Sequence, residues 1–145
     1  MKRKGILNRQ LLELLSCAGH GDMIAVTDRG FPIPRNACTQ VIDLGVVPGV
    51  PSFGDVLFPL IEELVIEGYI LAEETFDYNK TLIDQLHMHP AIKGVREITE
   101  KIVPHAEFKE MVLSTNSSSA PIAGFIRTGE FTKYTNIILI CGVAF

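Results

Sequence analysis

A chain of 145 residues holds one domain with a substantial core and is too short for two comfortable ones. Hydrophobic residues make up 47% of it, which argues against disorder. The formal charge of −4 is spread without any Lys/Arg block, so the basic stripe that nucleic-acid binding needs is absent.

The N-terminal run Met1-Lys2-Arg3-Lys4-Gly5-Ile6-Leu7 returns to polar residues too soon for a signal peptide. No window reaches the ~18–20 apolar residues of a membrane helix. The cysteines Cys17, Cys38 and Cys141 are odd in number and lack metal-ligand spacing. Reduced, mostly structural thiols in a cytoplasmic protein are expected.

Leu7, Leu11, Leu14 and Leu15 fall on one helical stripe, which Asn8 can cap and Gly19 can end in a left-handed turn. Met23 to Val26 reads as a buried strand, followed by a loop forced by Gly30, Pro32 and Pro34. Ser52 and Asp55 fit a loose capping box before an amphipathic helix that carries Val56, Leu57, Leu60, Ile61, Leu64 and Val65. Gly68 to Ala72 reads as the next strand, and Asn79 to His87 as a helix that Pro90 ends. Val95 to Val103 alternates as a strand, and Pro104 opens a helix to about Leu113. Asn116 to Ser119 reads as a flexible loop between that helix and two further strands, Pro121 to Arg127 and Ile137 to Phe145. The last strand is apolar on both faces, so burial on both faces and a nearby subunit interface are expected.

Helices and strands alternate without an internal repeat or linker. That order predicts a single α/β domain over residues 1–145, three layers deep, with a largely parallel central sheet.

The segment Gly19-His20-Gly21-Asp22 places an imidazole where the backbone can bend sharply and approach a ligand. Imidazole titrates near neutrality, so His20 can both give and take a proton. Read alone, such a histidine is more often an idle loop residue. Asp28 ends a strand, where a carboxylate can accept hydrogen bonds from sugar hydroxyls or simply cap the turn. His105 stands at a helix start, and local sequence favours an exposed first-turn residue. Tyr134-Thr135-Asn136 offers a phenol, a hydroxyl and an amide in one short loop, a set suited to hydroxyl recognition or to an ordinary turn. His87 and His89 make a tempting metal pair, yet no further ligand has fitting spacing. Glu73-Glu74 could be paired acids or a solvated strand end. Residues Gly45 to Pro51 match neither a dinucleotide nor a phosphate loop, and no nucleophile elbow is present.

Together these segments are far more specific. The sequence resembles the D-ribose pyranase family, sugar mutarotases of the ribose/fucose superfamily. The matching pieces are Leu7-Asn8, Gly19-His20-Gly21-Asp22, Asp28-Arg29-Gly30-Phe31-Pro32-Ile33-Pro34, Gly49-Val50-Pro51-Ser52-Phe53 and Ala72-Glu73-Glu74. His105-Ala106-Glu107-Phe108-Lys109, Ile126-Arg127-Thr128-Gly129-Glu130 and Tyr134-Thr135-Asn136-Ile137-Ile138-Leu139 complete them, in the family's order over nearly the whole chain. Thr135 stands where alanine is common, and the stretch from Met111 to Ala123 is longer or more polar than the pattern.

The resemblance implies that His20 is the proton donor and that Asp28, His105, Tyr134, Thr135 and Asn136 bind the sugar. It implies a ring-forming oligomer, a decamer, with sites at subunit junctions. The expected reaction is exchange of D-ribose between its pyranose and furanose forms. That chemistry needs an acid for the ring oxygen and a base for the anomeric hydroxyl, and no cofactor or metal. Three other readings stand beside it: a fucose-type mutarotase acting on anomers, a non-catalytic sugar-binding accessory of transport, and a structural ring without a ligand.

Overall fold

In the computed structural model, which describes residues 1–35, 37–93, 97–114 and 122–145, Asn8 caps the first helix as expected. Its side chain accepts a hydrogen bond from the Leu11 amide at 3.1 Å and opens α1 (Arg9–Cys17). The expected left-handed stop at Gly19 is not there. α1 ends one residue earlier on Ala18 in extended backbone, and the left-handed glycine of this turn is Gly21, at φ 81°. The Asp22 carboxylate accepts from the Gly19 amide at 2.8 Å, so the turn is held by a side chain rather than by a helical stop.

From that turn the chain enters β1 (Met23–Thr27) and, after the proline-rich loop, β2 (Gln40–Asp43). β2 is short and half exposed, and the sequence reading missed it. Ser52 and Asp55 form a complete capping box and open α2 (Phe53–Glu63). β3 (Ile66–Ala72) begins earlier than expected and runs directly into α3 (Glu73–Tyr78), a short helix that was also missed. Asn79 caps α4 (Lys80–Met88), and Pro90 opens a further turn, α5 (Pro90–Lys93), because proline fits the first helical position. β4 (Thr99–Val103), α6 (His105–Leu113), β5 (Ile122–Arg127) and β6 (Ile137–Cys141) follow. The loop expected at Asn116 to Ser119 lies outside the described residues, as do Val95 and Pro121.

The strands form one six-stranded sheet in the order β2-β5-β1-β6-β3-β4. β1 and β2 both pair parallel with β5, and β3 pairs parallel with β4. β6 is antiparallel to both of its neighbours, β1 and β3. Five strands therefore point one way and the last strand the other, so the sheet is mixed but mostly parallel.

Successive residues of a strand face opposite sides, and here both sides are apolar. Ile24, Val26, Leu71 and Leu139 meet α1, α2 and α4, where Leu14, Leu57, Leu60 and Leu86 are buried. Ala25, Ile70, Phe125 and Ile138 meet α6 through Phe108 and Val112. Helices thus cover both faces, giving the three layers the sequence pattern predicts. The terminal strand is shorter than expected. It ends at Cys141, while Val143 and Phe145 beyond it are exposed. Of the cysteines only Cys141 is buried, so Cys17 and Cys38 are not core thiols. Burial and the neighbouring carboxylates Asp22 and Glu67 push the Cys141 thiol up to about 11, which keeps it protonated and inert.

Candidate functional site

The strand directions decide what meets. The C-terminal ends of β1, β3, β4 and β5 and the N-terminal end of β6 share one edge of the sheet. Asp28 follows β1, Glu74 follows β3, His105 follows β4, and Tyr134 to Asn136 lead into β6. Ligands of such sheets collect outside the carboxyl ends of the parallel strands. A cleft of about 240 Å³ opens there, lined by Asp28, Phe31, His105, Lys109, Lys133 and Tyr134 among others.

Asp28 and Asn136 are buried and bonded reciprocally. The Asp28 amide donates to Asn136 Oδ1 at 3.1 Å, and Asn136 Nδ2 donates to Asp28 Oδ2 at 3.2 Å. The Gly30 amide donates to the other carboxylate oxygen at 2.9 Å. Burial pushes the Asp28 carboxyl above its ordinary range, opposed by these hydrogen bonds and by the Thr135 amide. A buried carboxylate with directed donors is held in one orientation, as a hydroxyl-binding group must be.

His105 is packed on three sides by rings. Phe31 and Tyr134 stand nearly perpendicular to it at centroid distances of 5.9 and 4.8 Å, and Phe108 stacks at 6.4 Å. Its amide donates to Glu74 Oε2 at 2.9 Å, so α6 starts on a carboxylate supplied by α3. Burial holds the imidazole below its ordinary pKa, and Lys109 acts in the same sense, while Glu74 and Asp28 pull it up. Its Nδ1 is buried and has no hydrogen-bond partner among the described residues.

Tyr134 has φ 63°, a left-handed backbone that costs a non-glycine residue roughly 1–2 kcal/mol. The neighbouring Thr135 is fully buried, with its hydroxyl accepting from Asn79 Nδ2 at 3.2 Å. Lys133 lies over the Tyr78 ring at 4.3 Å.

His20 is elsewhere. It precedes β1, and the strand alone rises about 13 Å before Asp28. The imidazole is exposed on the opposite edge of the sheet, with Nε2 2.8 Å from Glu67 Oε2. Within one chain the structure therefore brings Asp28, His105, Tyr134, Thr135 and Asn136 together and leaves His20 apart from them.

His87 and His89 do not converge. His87 pairs with Glu100 at 2.6 Å, whereas His89 stacks on Phe58. Glu73 is exposed and Glu74 half-buried, and their roles are separate. The residues missed from sequence are Phe31, Lys109, Lys133 and Glu67. Lys109 had a signal, since it lies four positions after His105 and so on the same helix face. Glu67 had one too, as the only charge inside an apolar strand.

Residues 1–144 match the RbsD / FucU transport protein family. The chain belongs to that family. It is 44% identical over 146 residues to the D-ribose pyranase of Kosmotoga olearia, with all of both chains covered. It is 41% identical over 145 residues to the D-ribose pyranase of Geobacillus kaustophilus, covering 100% of this chain and 96% of the relative. Among solved structures of the RbsD / FucU family, Bacillus subtilis RbsD complexed with D-ribose superposes with a TM-score of 0.82. It is 36% identical, and all of both chains is covered.

Proposed function

We propose that this chain interconverts the pyranose and furanose forms of D-ribose by opening and re-closing the hemiacetal. The observation that carries the reading is the cleft that joins Asp28, Asn136, His105 and Tyr134 at the carboxyl edge of the sheet. Relatives named D-ribose pyranase over the full length and a ribose-bound RbsD of the same fold support it.

In this reading the sugar hydroxyls are held by Asp28, Asn136, His105 and Tyr134, and Thr135 contributes through its backbone. The acid is His20 of a neighbouring copy, because no motion of a side chain carries His20 across its own sheet. Both edges offer exposed apolar residues for such an assembly: Val46, Val47 and Phe131 around Arg29 on the Asp28 side, and Val65 and Val143 beside Gly142 on the His20 side. The resemblance makes that assembly a ring, a decamer, with each site at a junction. The placement proposed is the cytoplasm; among the described residues, no helix is long and apolar enough to cross a membrane.

With Nε2 of His20 2.8 Å from Glu67 Oε2, the proposed tautomer carries its proton on Nε2 and gives it to the carboxylate as a hydrogen bond, and Nδ1 is the nitrogen assigned to the sugar. Protonated Nδ1 donates its proton to the ring oxygen as the C1–O5 bond breaks. The anomeric hydroxyl gives its proton to a base, Asp28 or water, and C1 becomes the aldehyde carbon. After rotation the O4 hydroxyl attacks C1 and the protons return. No bond to the protein forms, and oxidation states do not change.

Saturation-transfer NMR on ribose tests this directly. The parent accelerates pyranose–furanose exchange, and His20→Ala lowers it about 10²–10⁴-fold, the worth of general acid/base help, while the assembly persists. Parental exchange in His20→Ala removes His20 from the mechanism. Sugar binding without acceleration by the parent makes the protein a binder.

A further inference from the structure

The segment that presents Tyr134 and Asn136 to the cleft is anchored from behind by the α3–α4 corner. Thr75 is fully buried on α3, and its hydroxyl donates to the Tyr134 carbonyl at 2.5 Å. Asn79, between the two helices, donates from Nδ2 to the Thr135 hydroxyl at 3.2 Å. Its Oδ1 meanwhile accepts from the Leu82 amide at 3.3 Å and caps α4. The Thr75 carbonyl accepts from the Asn79 amide at 2.8 Å, so both anchors belong to one rigid corner.

This arrangement answers a need. Tyr134 occupies left-handed backbone at φ 63°, which a tyrosine does not adopt unless its surroundings impose it. A peptide carbonyl partly withdrawn from water must also find a donor, and the Thr75 hydroxyl supplies one. With its φ held, Tyr134 sets its ring nearly perpendicular to that of His105, centroids 4.8 Å apart, and Asn136 meets Asp28. The Thr135 hydroxyl, which stands where alanine is common in the pattern, gives the second anchor its acceptor.

We propose that Thr75 and Asn79 are positioning residues for sugar binding, acting through the backbone of Tyr134 and the side chain of Thr135. Neither touches the cleft. The inference rests on the reading that Tyr134 contacts the sugar. It predicts that ground-state recognition and transition-state recognition fall together when the anchor is cut, while the acid on the far edge of the sheet is untouched. The effect therefore appears in KM rather than in kcat.

The test is Thr75→Val, which keeps side-chain shape and removes the donor, measured by ribose exchange at varied sugar concentration. KM rises about 5–30-fold, as for an unsatisfied buried acceptor, kcat changes less than about two-fold, and Thr75→Ser restores the parent values. Asn79→Asp, which retains an oxygen to cap α4 but loses the donor, shifts KM in the same direction, and serves where the valine variant does not fold. Parent KM in a folded Thr75→Val, or equal damage in Thr75→Val and Thr75→Ser, overturns the inference. Tyr134→Phe separates the two levels. If it raises KM while Thr75→Val does not, the positioning role alone fails. If Tyr134→Phe keeps the parent KM, the assignment of Tyr134 to the sugar fails and the inference falls with it.

Discussion

Asp28 and His105 face the same cleft, and burial drives both toward their neutral forms. For His105 the folded pKa lies below its ordinary value, so the unfolded chain takes up the proton first. The stability it contributes is present above about pH 6.5 and is lost as pH falls through that value toward the lowered one. Asp28 has the opposite sign: its folded pKa is raised, and its contribution is full below the ordinary carboxylate value of about 3.9 and is lost as pH rises. His105→Phe keeps the aromatic packing and breaks no bond at Nδ1, which has none. Its urea midpoint should therefore fall less than the parent's between pH 7 and pH 5. An equal fall in the two proteins would show that other groups set the acid sensitivity.

The elements that hold the cleft are stabilised from outside it. α2 buries Phe53, Val56, Leu57, Leu60 and Ile61, each contributing about 1.5–3 kcal/mol as a side chain removed from water. Its start depends on Ser52, whose hydroxyl accepts from the Asp55 amide at 3.2 Å while Asp55 reaches back at 2.9 Å. Ser52→Ala should destabilise the protein by about 1 kcal/mol in urea unfolding, with the ribose KM unchanged. A change in KM would mean that this cap also shapes the site. α3, only six residues long, reaches the cleft wall twice: Glu74 receives the amide that begins α6, and Thr75 holds the Tyr134 carbonyl.

On the proposed assembly, the separation of His20 from the cleft becomes a prediction about chains. In the proposed reading a junction takes His20 from one copy and Asp28 from the next. His20→Ala and Asp28→Asn, each inactive alone, should regain about a quarter of the parent exchange rate when co-assembled in equal amounts, because one junction in four combines two intact halves. A mixture no more active than the average of the two variants would place each site within a single chain. If that contact is heterologous, one edge of a copy against the opposite edge of the next, it gives the proposed ring when the rotation between copies closes.

Much of this is legible in the amino-acid sequence. The caps at Asn8 and Ser52, the apolar period of α2 and the continuous apolar run of β6 are local signals, written in neighbouring residues. β2 and α3 were not legible, because β2 is four residues long with one buried position, and α3 opens straight from a strand without a side-chain cap. The segments around Asp28, His105 and Tyr134 pointed to candidate site residues by their resemblance to a family, not by any contact that spacing could show. Only the folded chain decides that β6 runs against its neighbours. That reversal brings Asn136 to Asp28 and leaves His20 with Glu67 at the other edge. The cause is non-local: strand direction follows from which edges pair across more than a hundred residues, and no window of the sequence contains that choice.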